Sequence, residues 1–189
     1  MGKSWTDDLS RYQDLARQIE PAIRLTTKDG WFWRALAVVV HGVTFGGTTR
    51  TEFLEDYGTT IGPVMANPRR WPRLGEGYIV HEGTHAADMR KAGLGIHPWV
   101  GLLFYGLVYL LVFFPFLLAY GRYKLELRAD VARWRHELKQ GLRSPDQLRA
   151  HAERRGKSLK GGAYAFAWLW ARKGYASRVE AVIEEIGHV

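Results

Sequence analysis

The chain has 189 residues, 47% of them hydrophobic, which is enough for one compact domain with its own core. It contains no cysteine, so a disulfide framework and a thiolate metal site are both excluded, and any metal must take nitrogen and oxygen ligands. A formal charge of +8 suits an anionic surface, but net charge speaks to non-specific attraction and reads first as a solvated exterior.

Residues 1–18 carry Asp7, Asp8 and Asp14 and have no apolar stretch, so no secretory signal is expected and the cytoplasmic side is the expected location. Met1-Gly2 with Thr6 fits the short myristoylation pattern, which is a weak signal. Leu9, Tyr12, Leu15, Ala16 and Ile19 fall at helical spacing over 6–20, with Thr6 or Asp7 as the cap. The run WFWRALAVVVHGVTF at 31–45 is β-branched and aromatic and reads as a buried strand, its first half equally as helix. Residues 50–57 and 59–66 read as two short strands, with Pro63 placing the second at a sheet edge or ending it. Asn67-Pro68 then starts a turn.

From about Pro72 to Lys91, Leu74, Tyr78, Ile79, His85, Ala86 and Met89 lie on one side of a helix that Gly93 and Gly95 stop. Between Pro98 and Gly121 there is no charged residue, and the stretch is apolar all round. Beyond it, 122–140 forms an amphipathic helix and Ser144-Pro145-Asp146 opens another through about Arg155. GKSLKGG is a loop, and 163–173 and 177–186 complete a helical C-terminal half. Trp168 and Trp170, with Tyr164 and Phe166, read as core packing rather than an interfacial belt. The basic residues of 143–160 lack aromatic interleaving and read as a solvated face, so no specific nucleic-acid partner is expected. Gly156-Lys157-Ser158 is no P-loop, because His151 stands where the upstream glycine belongs.

The chemistry lies in His81-Glu82-Gly83-Thr84-His85. Two imidazoles one helical turn apart can face one cation, while Glu82 is offset enough to reach water held there. Gly83 in mid-helix costs about 1 kcal/mol against alanine, which a helix built only for stability would avoid. Catalytic zinc ordinarily has three protein ligands, so a third is required. A metzincin extension would need glycine at 88 and histidine at 91, and the chain has Asp88 and Lys91. Downstream, Glu126-Leu127-Arg128-Ala129-Asp130 offers Glu126 and Asp130 on one helical face, with small Ala129 beside them for close helix packing.

At these two motifs, over roughly residues 50–135, the chain resembles the gluzincins, the thermolysin-like zinc peptidases, and their minigluzincin branch. The resemblance implies that Glu126 is the third ligand beside His81 and His85, and that Asp130 hydrogen-bonds the outer nitrogen of one of those histidines. It also implies that Thr60, Ile61 and Gly62 form the strand that pairs with an extended substrate backbone. For the group that stabilises the tetrahedral intermediate, Tyr123, Tyr120 and His97 are the candidates, with packing the alternative role for each. The cofactor would be Zn2+, although manganese or iron also suits nitrogen and oxygen donors. Glu82 would be the catalytic acid and base in hydrolysis of a peptide bond.

The apolar run exceeds the roughly 20 residues needed to cross a bilayer, with Arg90-Lys91 and Arg122-Lys124 flanking it. A single crossing would part the two motifs by about 30 Å of hydrocarbon and forbid a shared metal. A break at Pro115 or near Gly106 makes the run a helical hairpin on one side of a membrane or against a protein partner, with a hairpin buried in the core as the alternative. The expected fold is a small α+β zincin-like domain spanning 1–189, with N-terminal strands, an active-site helix, an apolar hairpin insertion at 97–122 and C-terminal helices at 141–189. The alternative function is a structural or assembly component, as in a phage particle or secretion device, with a vestigial or structural metal site and a virion-associated location.

Overall fold

A computed structural model describes residues 5–43, 46–68, 75–102, 115–158 and 168–187. The chain is mostly helical with one small three-stranded sheet, an α+β composition, and forms two compact units, Met1–Phe104 and Tyr105–Val189.

The first unit contains α1 (Trp5–Ile19), β1 (Arg24–Thr27), α2 (Trp31–Val43), α3 (Arg50–Glu55), β2 (Thr59–Ile61), β3 (Val64–Asn67) and α4 (Glu76–Ala92). Strand order is β1-β3-β2, with β1 parallel and β2 antiparallel to the central β3, so β2 is an edge strand. Side chains of β3 alternate between two apolar layers. Met65 packs with Ala16, Ile23, Tyr78, Ile79 and Ala86, from α1, the turn after it and α4. Val64 and Ala66 pack with Trp33, Ala37 and Phe53, from α2 and α3. Glu20, just past α1, accepts Arg90 of α4 in a forked contact of 2.6–3.0 Å, which ties the end of one helix to the end of the other.

The second unit contains α5 (Pro115–Lys139), α6 (Pro145–Ser158) and α7 (Trp168–Gly187). Its core is Tyr123, Leu127 and Trp134 of α5, Leu148 and Ala152 of α6, and Ala171, Tyr175, Val179 and Val182 of α7. Basic residues of 143–160 form ion pairs: Arg149 with Asp146 and Glu180, Arg143 with Glu137, and Lys157 with Glu153.

Several elements differ from the sequence reading. Residues 31–43 are helix rather than strand, because Trp33, Leu36, Ala37 and Val40 make a helical stripe facing Phe53 and Ala66. Residues 50–55 are helix because Thr49 and Glu52 close a capping box, each side chain bonding the other's backbone N–H. The segment 59–66 folds back on itself at Gly62-Pro63 as two strands, and the short β1 has no counterpart in the reading. Residues 168–187 form one helix, not two. No helix among the described residues is long and apolar enough to cross a membrane. Half of the apolar run, 103–114, lies outside the described residues, as do Tyr164, Phe166 and the side chains of Tyr120, Trp168 and Trp170.

At the centre of the second unit, the Trp134 indole N–H donates to His151 Nδ1 at 2.9 Å. Burial, with Arg133 adding to it, pushes His151 down from 6.5 to about 3, against an opposing pull from Asp130. The folded imidazole therefore stays neutral where the unfolded one gains a proton, so its contribution is intact above pH 6.5 and lost as the pH falls toward 3. His151→Gln keeps an acceptor for Trp134 and is expected to flatten the pH dependence of stability in that window, read from urea midpoints.

Candidate metal centre

Eleven of the seventeen residues of α4 are buried, including Tyr78, Ile79, Val80 and Met89. The helix is packed on several sides at once. Gly83 is explained by this packing: a Cβ there would lie 3.2 Å from the side chain of Ile19, so the glycine admits α1 rather than signalling chemistry. At the other end, Gly101 lies against the Met89 carbonyl, so the start of the apolar run, helical over 98–102, folds back onto the end of α4.

On this helix His81 and His85 are both buried, their rings nearly perpendicular at 83° with Nε2 atoms 3.2 Å apart. Two nitrogens at that separation, each about 2.05 Å from a common ion, subtend about 103° there, close to the tetrahedral angle of zinc. The separation suits two ligands of one cation and equally a hydrogen bond between the two rings. A six-coordinate ion with longer bonds fits the same separation, so the donors alone leave the metal's identity open.

Glu82 is half-buried, and its Oε2 accepts the Thr60 hydroxyl of β2 at 2.6 Å. The edge strand and the helix are thereby joined through the residue expected to handle protons. Gly62, at φ +55, turns β2 into β3 beneath the Trp99 ring, and its N–H meets Met89 Sδ at 3.2 Å. Burial and the Glu82 charge together hold the Tyr78 phenol well above its ordinary range.

In the second unit, Glu126 and Asp130 are buried on one face of α5. Arg155 of α6 bridges them, with Nη2 to Glu126 Oε2 and Nε to Asp130 Oδ2, each at 2.9 Å. The Tyr175 hydroxyl of α7 also donates to Asp130 Oδ2, at 2.8 Å. Neither Arg155 nor Tyr175 stands out in the sequence, since each lies 25 or more residues from its partner and belongs to no motif.

Of the proposed stabilisers, Tyr123 is a core side chain, seated against Gly174 and 6.2 Å from the Tyr175 ring. His97 accepts the Trp99 N–H through Nδ1 at 3.3 Å, capping the 98–102 turn. Thr60 and Ile61 lie on the edge strand as expected, and Gly62 in the turn that follows.

His81, His85 and Glu126 are each buried, each offers a ligand atom, and as a set they could hold a metal ion. No protein-family model matches the chain, and no curated protein or solved structure matches it significantly.

Arg155→Met would leave two buried carboxylates facing an apolar side chain. Because Arg155 is itself part-exposed, the expected loss of stability is about 2–4 kcal/mol rather than the upper end for a buried pair, measured by urea unfolding. Tyr175→Phe, which removes one hydrogen bond to the same carboxylate, should cost about 1.5 kcal/mol in the same assay.

Proposed function

We propose that the chain is a zinc-dependent peptidase in which His81, His85 and Glu126 hold the metal and Glu82 handles the proton of the attacking water. The observation that carries this reading is the facing of the two Nε2 atoms at 3.2 Å on a buried helical turn, with a hydrogen-bonded carboxylate between them in sequence. A zinc ion held there supplies a Lewis acid for the scissile carbonyl and brings the pKa of water toward about 7.

The remaining steps belong to the chain's own groups. The Thr60 hydroxyl fixes one oxygen of Glu82, so the other is aimed to take a proton from water and return it to the leaving amine. The outer edge of β2 offers backbone donors and acceptors to an extended peptide, which lays the scissile bond along the strand beside α4. Arg155 of α6 orients the Glu126 carboxylate of α5 and Asp130 holds Arg155 in place, a supporting role reached through the guanidinium.

Leu94, Ile96, Trp99 and Val100 form an exposed apolar stretch after α4, which favours substrates presented at a membrane or protein surface.

Purified protein should carry about one zinc per chain, and His81→Ala should weaken binding by about a hundredfold or more in chelator competition. Glu82→Gln should retain the metal while hydrolysis of labelled casein falls by about 10²–10⁴. Undiminished cleavage by Glu82→Gln would overturn the assigned proton route. Zinc retained by a wild-type chain that cleaves nothing would leave the metal a structural role, as in an assembly component.

A further inference from the structure

Lys28 follows the last residue of β1 and is fully buried. Its ammonium donates to the Phe53 and Tyr57 carbonyls at 2.7 Å each and to the Thr59 hydroxyl at 2.6 Å. It also sits 3.8 Å from the centre of the Phe53 ring and 5.8 Å from that of Trp33. An ammonium has three N–H donors, and here they meet three acceptors. Two of those are main-chain carbonyls at or just beyond the end of α3, where a helix welcomes a cation; the third is on the first residue of β2.

Successive side chains of a strand point to opposite faces. Thr59 therefore meets Lys28 on one face of β2, while Thr60 meets Glu82 on the other. The neighbours agree: Ile61, in phase with Thr59, packs with Phe53 and Trp33, whereas Thr60 pairs in register with Met65, which faces α4. A three-residue strand, with ladder bonds to β3 alone among the described residues, is thus clamped between a cation and an anion.

We propose that Lys28 is a positioning residue for Glu82: it anchors β2 so that the Thr60 hydroxyl is held on the carboxylate. The anchoring of β2 stands on the contacts alone, and its effect on hydrolysis rests on the peptidase reading. Glu82 of α4 is a charged group that acts on Lys28, while α2 and α3 present rings and carbonyls, and β2 a hydroxyl. Burial pushes the Lys28 ammonium down to about 7, with Glu82 opposing. The neutral amine has two N–H groups for three acceptors, so losing the proton releases one contact and loosens the clamp.

The test compares the full-length wild-type chain with Lys28→Met. Hydrogen exchange of the peptide covering residues 59–61, corrected for intrinsic base catalysis, should be faster in Lys28→Met by about tenfold at pH 6. Wild-type exchange should rise toward the variant's as pH increases through about 7, while the variant stays flat. Zinc content should be unchanged, and casein hydrolysis should lose about tenfold in kcat with KM altered less than about threefold. Equal exchange in both proteins at every pH would overturn the anchoring, and unchanged kcat alongside faster exchange would overturn the positioning of Glu82. A wild-type chain inert toward casein refutes the peptidase reading instead, and the exchange data still decide the anchoring. Should Lys28→Met not fold, Thr59→Val removes one acceptor only and is judged on the same measurements.

Discussion

A charge taken out of water must be met by partners in the protein, and this constraint organises both units. Moving an ion into the interior carries a penalty of several kcal/mol unless hydrogen bonds and opposite charges replace its hydration. Lys28 is met by two carbonyls and a hydroxyl, Glu20 by the fork of Arg90, and Glu126 and Asp130 by Arg155. Glu137 is met by Arg133 and Arg143. Arg133 shares α5 with Glu137, but every other partner comes from a different element or from the adjoining turn, so satisfying the charge also fixes how the elements pack. Helix ends, which carry unsatisfied carbonyls, are used repeatedly: the end of α3 receives Lys28, and Arg90 near the end of α4 reaches both Glu20 and the carbonyls of Gly95 and Ile96.

The same constraint explains how an edge strand of three residues keeps its register. Backbone pairing with β3 gives β2 only one ladder, and a strand this short has little apolar surface of its own. Side-chain bonds on its two faces supply what the ladder lacks. Among the described residues no strand pairs with the outer edge, which the proposed recognition of an extended chain requires.

What could be read from the sequence were features whose cause is local. The helix carrying His81 and His85, the start of α6 at Ser144-Pro145 and the period of α1 follow from neighbouring residues and stand much as expected. The misreadings share a reason. The valines at 38–40 suggested a strand because β-branched residues favour one, but the stripe of Trp33, Leu36, Ala37 and Val40 has a face to bury against α3 and β3, and packing overrides propensity. Thr49 and Glu52 announce a helix start at the right spacing, a signal overshadowed by the aromatic and acidic residues that follow. The short β1 exists because β3 offers it a parallel edge, and nothing within RLTT records that. Lys28 and Arg155 were illegible for a similar reason: each looks like any other basic residue until elements about 25 residues away supply its acceptors.

Gly83 sharpens the question of what α4 is for. Its presence has a packing cause in Ile19, so it carries no weight for function. The polar residues beside it do carry weight. A helix buried on most sides would gain stability from aliphatic residues, yet α4 places His81, Thr84, His85 and Asp88 among its buried positions and half-buries Glu82. Thr84 is accounted for locally, since its hydroxyl returns to the Val80 carbonyl at 2.7 Å. The histidines meet each other through Nε2 at 3.2 Å, yet a stabilising role would be served as well by two leucines, which need no partner and pack without a desolvation penalty. Departures from the rules of stable packing tend to gather where a protein acts. Here the departure comprises two imidazoles facing each other one turn apart and a carboxylate steadied by an edge strand, the turn on which the proposed metal site is built.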